Sequence, residues 1–215
     1  METLTQLSES LQRGETENVA ELTDRAIAEG LAPQTILDDG LIAAMAVIGE
    51  KFRVHEIFLP DVLLAARAMY AGMDKLKPLL IKEGVPTIGK VVMGSVQGDL
   101  HDIGKNIVSI MLKGAGFEVV DLGNDVSPEK FIESADREGA RIIGLSALLT
   151  TTMPVMKKVV DLVKESGMSD RLKVIIGGAP VSADYAREIG ADAYCFDGMS
   201  AVDCVKKHLG VGRHD

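Results

Sequence analysis

From Ile88 onward, short apolar runs alternate five times with amphipathic stretches, and few folds satisfy that alternation. Residues 91–94, 118–121, 142–146, 173–177 and 191–196 read as strands. Helical rhythm follows each of them, over residues 104–115, 128–138, 153–166, 183–189 and 200–209. Parallel neighbours need a long connection back across the sheet, and a helix supplies it. The pattern therefore predicts a doubly wound parallel sheet with right-handed crossovers, in strand order 2-1-3-4-5.

Up to about Gly84 the rhythm is helical throughout. Leu4, Leu7 and Leu11 mark one helix, stopped at Gly14, and Val19, Leu22 and Ala26 mark a second, stopped at Gly30. Pro33 suits a first helical turn, with Leu37, Leu41, Ala44 and Ile48 carrying that helix on. Pro60 opens a fourth through Val62, Ala66, Met69, Met73, Leu76 and Leu80. The expected division is a four-helix bundle over residues 1–86 and a flavodoxin-like (Rossmann-like) five-stranded α/β domain over 87–215. Gly84-Val85-Pro86-Thr87 is the short linker between them.

A net charge of −9 over 215 residues argues against nucleic acid or an anionic membrane as partner. No apolar stretch approaches a bilayer span, and Met1-Glu2-Thr3 opens no signal peptide, so a soluble, cytoplasmic protein is expected. Cys195 and Cys204 have neither metal-type spacing nor a disulfide framework.

The chemistry-bearing stretch is Gly98-Asp99-Leu100-His101-Asp102-Ile103-Gly104, where the first strand gives way to a helix. Ligands of open α/β sheets gather at the carboxyl ends of the strands. In the predicted order, the hydroxyl-rich Ser146-Ala147-Leu148-Leu149-Thr150-Thr151-Thr152 and the pair Gly177-Gly178 share that edge. A phosphate loop is excluded: five residues separate Gly98 from Gly104 where four are required, and Asn106 stands where Ser or Thr should. His101-Asp102 as half of a metal-hydrolase pair needs further ligands, and His55, His208 and His214 are the other histidines. A structural histidine bonded to Asp99 or Asp102 is a further reading.

The intervals separate these readings. Gly104 is followed by 41 residues and then Ser146-Ala147-Leu148, and 28 more lead to Gly177-Gly178. Asp-x-His-x-x-Gly, Ser-x-Leu and Gly-Gly at these intervals resemble the cobalamin-binding domain of methionine synthase and of corrinoid methyl-carrier proteins. Gly49-Glu50-Lys51-Phe52 and Phe58-Leu59-Pro60 resemble the helical cap that precedes it there. The likeness covers nearly the whole chain.

The resemblance implies a corrinoid whose cobalt takes His101 as lower axial ligand, the cofactor's own benzimidazole tail having swung away. Asp99 would accept from the second ring nitrogen and Thr152 would continue the relay, adjusting how firmly cobalt is held. Gly98, Leu100, Asp102, Gly104 and Leu148 would also contact the cofactor, with no definite role for Asp102. Ser146, Thr150, Gly177, Gly178 and Gly198 would take the displaced tail. Phe52, Leu59 and Val62 match cap positions over the opposite face, although apolar bundle residues are usually core. His55 is read as a solvated loop histidine, with an upper axial ligand as the alternative. The implied activity is methyl carriage between a substrate-specific methyltransferase and a methylcorrinoid:acceptor methyltransferase using tetrahydrofolate or a thiol. A reductive activase is a further implied partner, and residues 84–90 are the implied hinge. A cobalamin-dependent sensor and the cobalamin subunit of an adenosylcobalamin mutase are the alternatives.

Overall fold

The computed structural model describes residues 2–83 and 88–211. The linker residues Gly84-Val85-Pro86-Thr87, and His214, lie outside the described residues. The chain divides into two compact units, Met1–Thr87 with Gly114–Gly116, and Ile88–Lys113 with Phe117–Asp215.

Four helical rods make up the described part of the first unit. They are α1 (Glu2–Gln12), α2 (Thr16–Ala28), a rod formed by α3 (Pro33–Thr35), a π-helical stretch (Ile36–Ile42) and α4 (Ala43–Arg53), and α5 (Leu59–Lys82). Gly14 and Gly30 end the first two at φ +72° and +80°, a region closed to most side chains. Leu7, Leu11, Val19, Ile36, Leu41, Ala44, Val62 and Leu76 are fully buried, so the threes-and-fours spacing is the packing stripe. The π-helical stretch departs from the plain helix expected there. Its Gly40 approaches α1 so closely that a Cβ would stand 2.8 Å from Leu7 Cδ2. A widened turn shifts which residues face inward, and a 3.6-residue rhythm cannot reveal it.

In the second unit, β1 (Lys90–Ser95), β2 (Glu118–Asp121), β3 (Ile142–Ser146), β4 (Lys173–Gly177) and β5 (Ala193–Tyr194) form one parallel sheet in the order β2-β1-β3-β4-β5. Between and after them run α6 (Ile103–Gly114), α7 (Pro128–Arg137), α8 (Met153–Glu165), α9 (Ala183–Ile189) and α10 (Gly198–Leu209). Val92, Ile143, Leu145, Val174 and Ile176 join one core with Phe131, Met156, Val159, Val163 and Ile189. The alternate strand residues Val91, Met93, Ile142 and Ile175 are buried as well. Burial on both faces explains apolar runs without polar alternation.

β5 is shorter than the 191–196 expected. Asp192 Oδ2 accepts from Val174 N at 2.8 Å before the strand begins, and Asp197 caps α10 after it by accepting from Ser200 N at 2.7 Å. That cap starts α10 at Gly198, two residues before the predicted Ser200.

The register Ser95↔Ser146 and Ser146↔Gly177 brings the ends of β1, β3 and β4 level. Gly178, at φ +129°, leaves no room for a Cβ, which would lie 1.9 Å from Ala147 O. We expect Gly178→Ala to lower unfolding free energy by more than roughly 2 kcal/mol, read as a reduced urea midpoint. An unchanged midpoint would show that this edge yields at little cost.

Candidate functional site

The loop between β1 and α6 is fastened by its own backbone and by the β2–α7 loop. Ser95 Oγ, buried, donates to His101 O at 2.5 Å. Gly98 N donates to Asp125 Oδ1 at 2.7 Å, Asp125 N to Asp99 O at 3.0 Å, and Asn124 Nδ2 to Leu100 O at 3.1 Å. Below the loop, Lys105 Nζ is caged by Asp121 Oδ1 and Oδ2, at 2.7 and 2.6 Å, and by Asn106 Oδ1 at 2.6 Å. All three ammonium hydrogens are matched, so burial leaves this lysine with no orphaned donor. Burial pushes the Asp121 carboxyl up, but Lys105 and the Gly123 N–H outweigh it and hold it below its ordinary range.

Asp99, with 0% of its surface exposed, is the hub. Its Oδ1 accepts from His101 N at 3.1 Å and faces His101 Nδ1 at 2.8 Å. Its Oδ2 accepts from Leu148 N at 2.7 Å, Leu149 N at 3.2 Å and Thr152 Oγ1 at 2.8 Å. Burial pushes the carboxyl up. The Leu148 N–H, the His101 ring, the Thr152 hydroxyl and the His101 N–H outweigh it and hold Asp99 well below the usual carboxylate range.

An ionised carboxylate can only accept, so the proton of neutral His101 sits on Nδ1 and the lone pair on Nε2. The imidazole side chain is 51% exposed, and Nε2 has no hydrogen-bond partner among the described residues. His101 is thus an oriented nitrogen donor facing outward from the carboxyl edge of the sheet.

Around it, Leu100 and Ile103 are 69% and 70% exposed, and Leu148 and Leu149 are also exposed large apolar residues. Gly104 lies in the first turn of α6, where a Cβ would meet nothing within 4 Å. No contact within the protein requires glycine there. Asp102 is exposed, with its carbonyl accepting from Asn106 N. Ser146 is half-buried and Thr150 exposed, and neither hydroxyl has a hydrogen bond among the described residues.

The glycines of the expected tail slot have a different standing. A Cβ on Gly177 would stand 2.8 Å from Cys195 O, and Gly178 is blocked by Ala147 O, so the fold itself demands both. Gly198 sets the first turn of α10 against α6, where a Cβ would stand 2.8 Å from Met111 Cγ. In the first unit, Phe52 and Leu59 are half-buried and Val62 is fully buried in the bundle core. Phe58, at 67% exposed, is presented there instead. His55 is exposed in the α4–α5 turn at φ +63°, with Nδ1 against Arg53 O.

Sequence reasoning missed Asp121, Asn124, Asp125 and the structural use of Lys105. Their contacts reach 16 to 27 residues along the chain and follow no periodicity. Only Asn-Asp before a helix start, a pair tolerant of left-handed backbone, could have hinted at the turn.

Among the described residues no three His, Cys, Asp or Glu side chains gather as a metal site. A lone imidazole on an apolar platform instead suits a metal that brings its other ligands with it, and Gly104 leaves space beside it. Comparisons with known proteins give the family. A B12 binding domain model matches residues 89–205, and a second model, also described as a B12 binding domain, matches residues 3–77. The chain therefore belongs to the B12-binding corrinoid proteins. It is 41% identical to a corrinoid protein of Desulfitobacterium hafniense strain Y51, across 98% of this chain and 99% of that one. It is 45% identical to trimethylamine corrinoid protein 1 of Methanosarcina acetivorans, across 89% and 88%. Among solved structures it is similar to the methanol:cobalamin methyltransferase complex MtaBC of Methanosarcina barkeri, with a TM-score of 0.87, 32% identity and coverage of 97% and 80%. A cobalamin-binding protein from Desulfitobacterium hafniense DCB-2 gives 0.79 at 34% identity, with coverage of 97% and 98%. No helix among the described residues is long and apolar enough to cross a membrane.

Two expectations follow. Asp121→Asn strips the buried Lys105 of its counter-charge and should cost about 2 kcal/mol, discounted because Asp121 is itself partly exposed. Since the Asp121 carboxyl is held low, its contribution is full above about pH 4 and is lost as pH falls below that, which acid titration of both proteins would show. Gly104→Ala should stabilise the cofactor-free protein by about 0.5–1 kcal/mol in urea while weakening cobalamin binding. Unweakened binding would mean that the space beside His101 is not used.

Proposed function

We propose that this protein carries a methyl group on a bound corrinoid, receiving it from a substrate-specific methyltransferase and releasing it to a second methyltransferase with its own acceptor. The observation that carries the reading is the Asp99–His101 pair, an outward-facing imidazole whose ligating nitrogen is free and whose other nitrogen is held at 2.8 Å by a buried carboxylate. When bound, the corrinoid supplies a cobalt centre able to accept and give up a methyl group.

His101 Nε2 would hold the corrinoid's cobalt, in place of the cofactor's own benzimidazole. Asp99 accepts the Nδ1 proton, which fixes the ring plane and raises the basicity of Nε2. A proton arriving at Nε2 would occupy the lone pair, and the ionised Asp99 would stabilise the resulting imidazolium. The same pair can therefore hold cobalt firmly or let it go. Leu100, Ile103, Leu148 and Leu149 offer the apolar surface on which the macrocycle would lie. Ser146 and Thr150, with hydroxyls uncommitted among the described residues, are the donors proposed for the displaced tail beside Gly177, Gly178 and Gly198.

The relatives support this reading through their names, which link them to trimethylamine and dimethylamine, and through the methanol:cobalamin methyltransferase complex. The donor's identity would belong to the partner that binds it. Tetrahydrofolate or a thiol is the proposed class of acceptor, and a reductive activase is the third proposed partner.

The test is the Co(II) EPR spectrum of cobalamin-loaded protein grown with 15N-histidine. Nitrogen hyperfine splitting should change with the label, and His101→Ala should abolish that dependence and weaken cobalamin binding by at least about tenfold. Splitting from benzimidazole in the wild type, or an unaltered spectrum in the variant, would sink the axial assignment.

A further inference from the structure

Asp125 is a non-glycine residue at φ +52° in the β2–α7 loop. Left-handed backbone is unfavourable for an L-residue, and it persists only where surrounding contacts over-determine it. Here they do. Asp125 Oδ1 accepts from Gly98 N at 2.7 Å, and Asp125 N donates to Asp99 O at 3.0 Å. One residue thus spans the Gly98–Asp99 dipeptide, taking its leading amide with a side chain and its trailing carbonyl with the main chain.

Both bonds need the left-handed turn, which faces amide and carboxylate of Asp125 toward the same stretch of chain. Gly98 is itself left-handed at φ +85°, so its amide direction depends on what receives it. Further bonds hold the same stretches together: Ser95 N to Gly123 O and Val126 N to Ser95 O, each at 3.0 Å, and Asn124 Nδ2 to Leu100 O at 3.1 Å. Those fix the loops side by side, and Asp99 N donates to Val96 O at 2.9 Å within its own loop. Asp125 instead reaches across from the β2–α7 loop to bond on both sides of the residue whose carboxylate orients the imidazole.

We infer that Asp125 is a positioning residue for the cofactor ligand: it sets the Gly98–Asp99 peptide so that Asp99 Oδ1 meets His101 Nδ1. The inference rests on His101 being the cobalt ligand. It assigns a task to the β2–α7 loop, which itself offers no ligand to cobalt.

Three variants separate its parts. Asp125→Asn keeps the acceptor oxygen and a residue tolerant of left-handed backbone. Asp125→Gly keeps the backbone freedom and the N–H but removes the acceptor, and Asp125→Ala removes the acceptor and opposes the turn. With cob(II)alamin as probe, the readouts are the share of protein-histidine hyperfine signal in EPR, the dissociation constant, and thermal unfolding of the cofactor-free protein. Asp125→Asn should stay within about twofold of wild type, while Asp125→Gly should lose histidine-ligated signal and bind roughly three- to tenfold more weakly. The thermal midpoint of Asp125→Gly should shift too little to account for that loss. Equal signal in Asp125→Gly and wild type overturns the inference, as does an equal fall in Asp125→Asn and Asp125→Gly. A wild type that binds cob(II)alamin without histidine hyperfine coupling rejects the axial reading instead.

Discussion

One buried carboxylate holds the site together. Asp99 takes donors from its own loop and from a loop 49 to 53 residues away, and both sets converge because β1 and β3 are neighbours. The register Ser95↔Ser146 puts the two strand ends level, so Leu148 N–H and Thr152 hydroxyl arrive on one oxygen while His101 takes the other. A slip of either strand would leave a buried charge short of donors, a far larger cost than the loss of one hydrogen bond. Strand order and ligand geometry are therefore a single constraint. The sheet cannot assume its arrangement without also aiming the imidazole.

Much of this was legible from residue order alone. The bounds of β3 and β4 coincide with their apolar runs because their central residues are buried on both faces, whereas the edge strand β2 was marked by only two valines between Glu118 and Asp121. The alternation of elements implied the parallel class, and the order observed is the flavodoxin-like one expected for five such units. The ends were harder: β5 lost residues to the Asp192 and Asp197 contacts, which are side-chain decisions invisible to periodicity. The π-helical stretch at Ile36–Ile42 was hidden for the same reason, since its apolar residues satisfy a plain helix equally well. At the site, the histidine loop announced itself through residue type and intervals. Asp121, Asn124 and Asp125 did not, because their meaning lies in which distant backbone atoms they meet.

The glycines show how residue type can mislead about purpose. Gly177 and Gly178 invite a ligand-based explanation, yet each is required by a carbonyl of the protein itself, Cys195 O and Ala147 O. Gly104 is the reverse case. Its position is helical and uncrowded, so alanine would suit the fold better, and no contact among the described residues accounts for the missing side chain. A glycine that the protein does not need says more about a ligand than one it cannot do without.

Thr152 Oγ1 lies 2.8 Å from Asp99 Oδ2 and 2.9 Å from Leu149 O, with one hydrogen to give. The hydroxyl can therefore exchange acceptors by turning about a single bond, with no heavy atom displaced. That turn moves a single hydrogen, whereas loop rearrangements take on the order of nanoseconds to microseconds. The far end of the His101–Asp99 network can thus readjust to a change in charge before any segment of chain has moved. Adjustment at this end of the network consequently asks for no rearrangement of the chain.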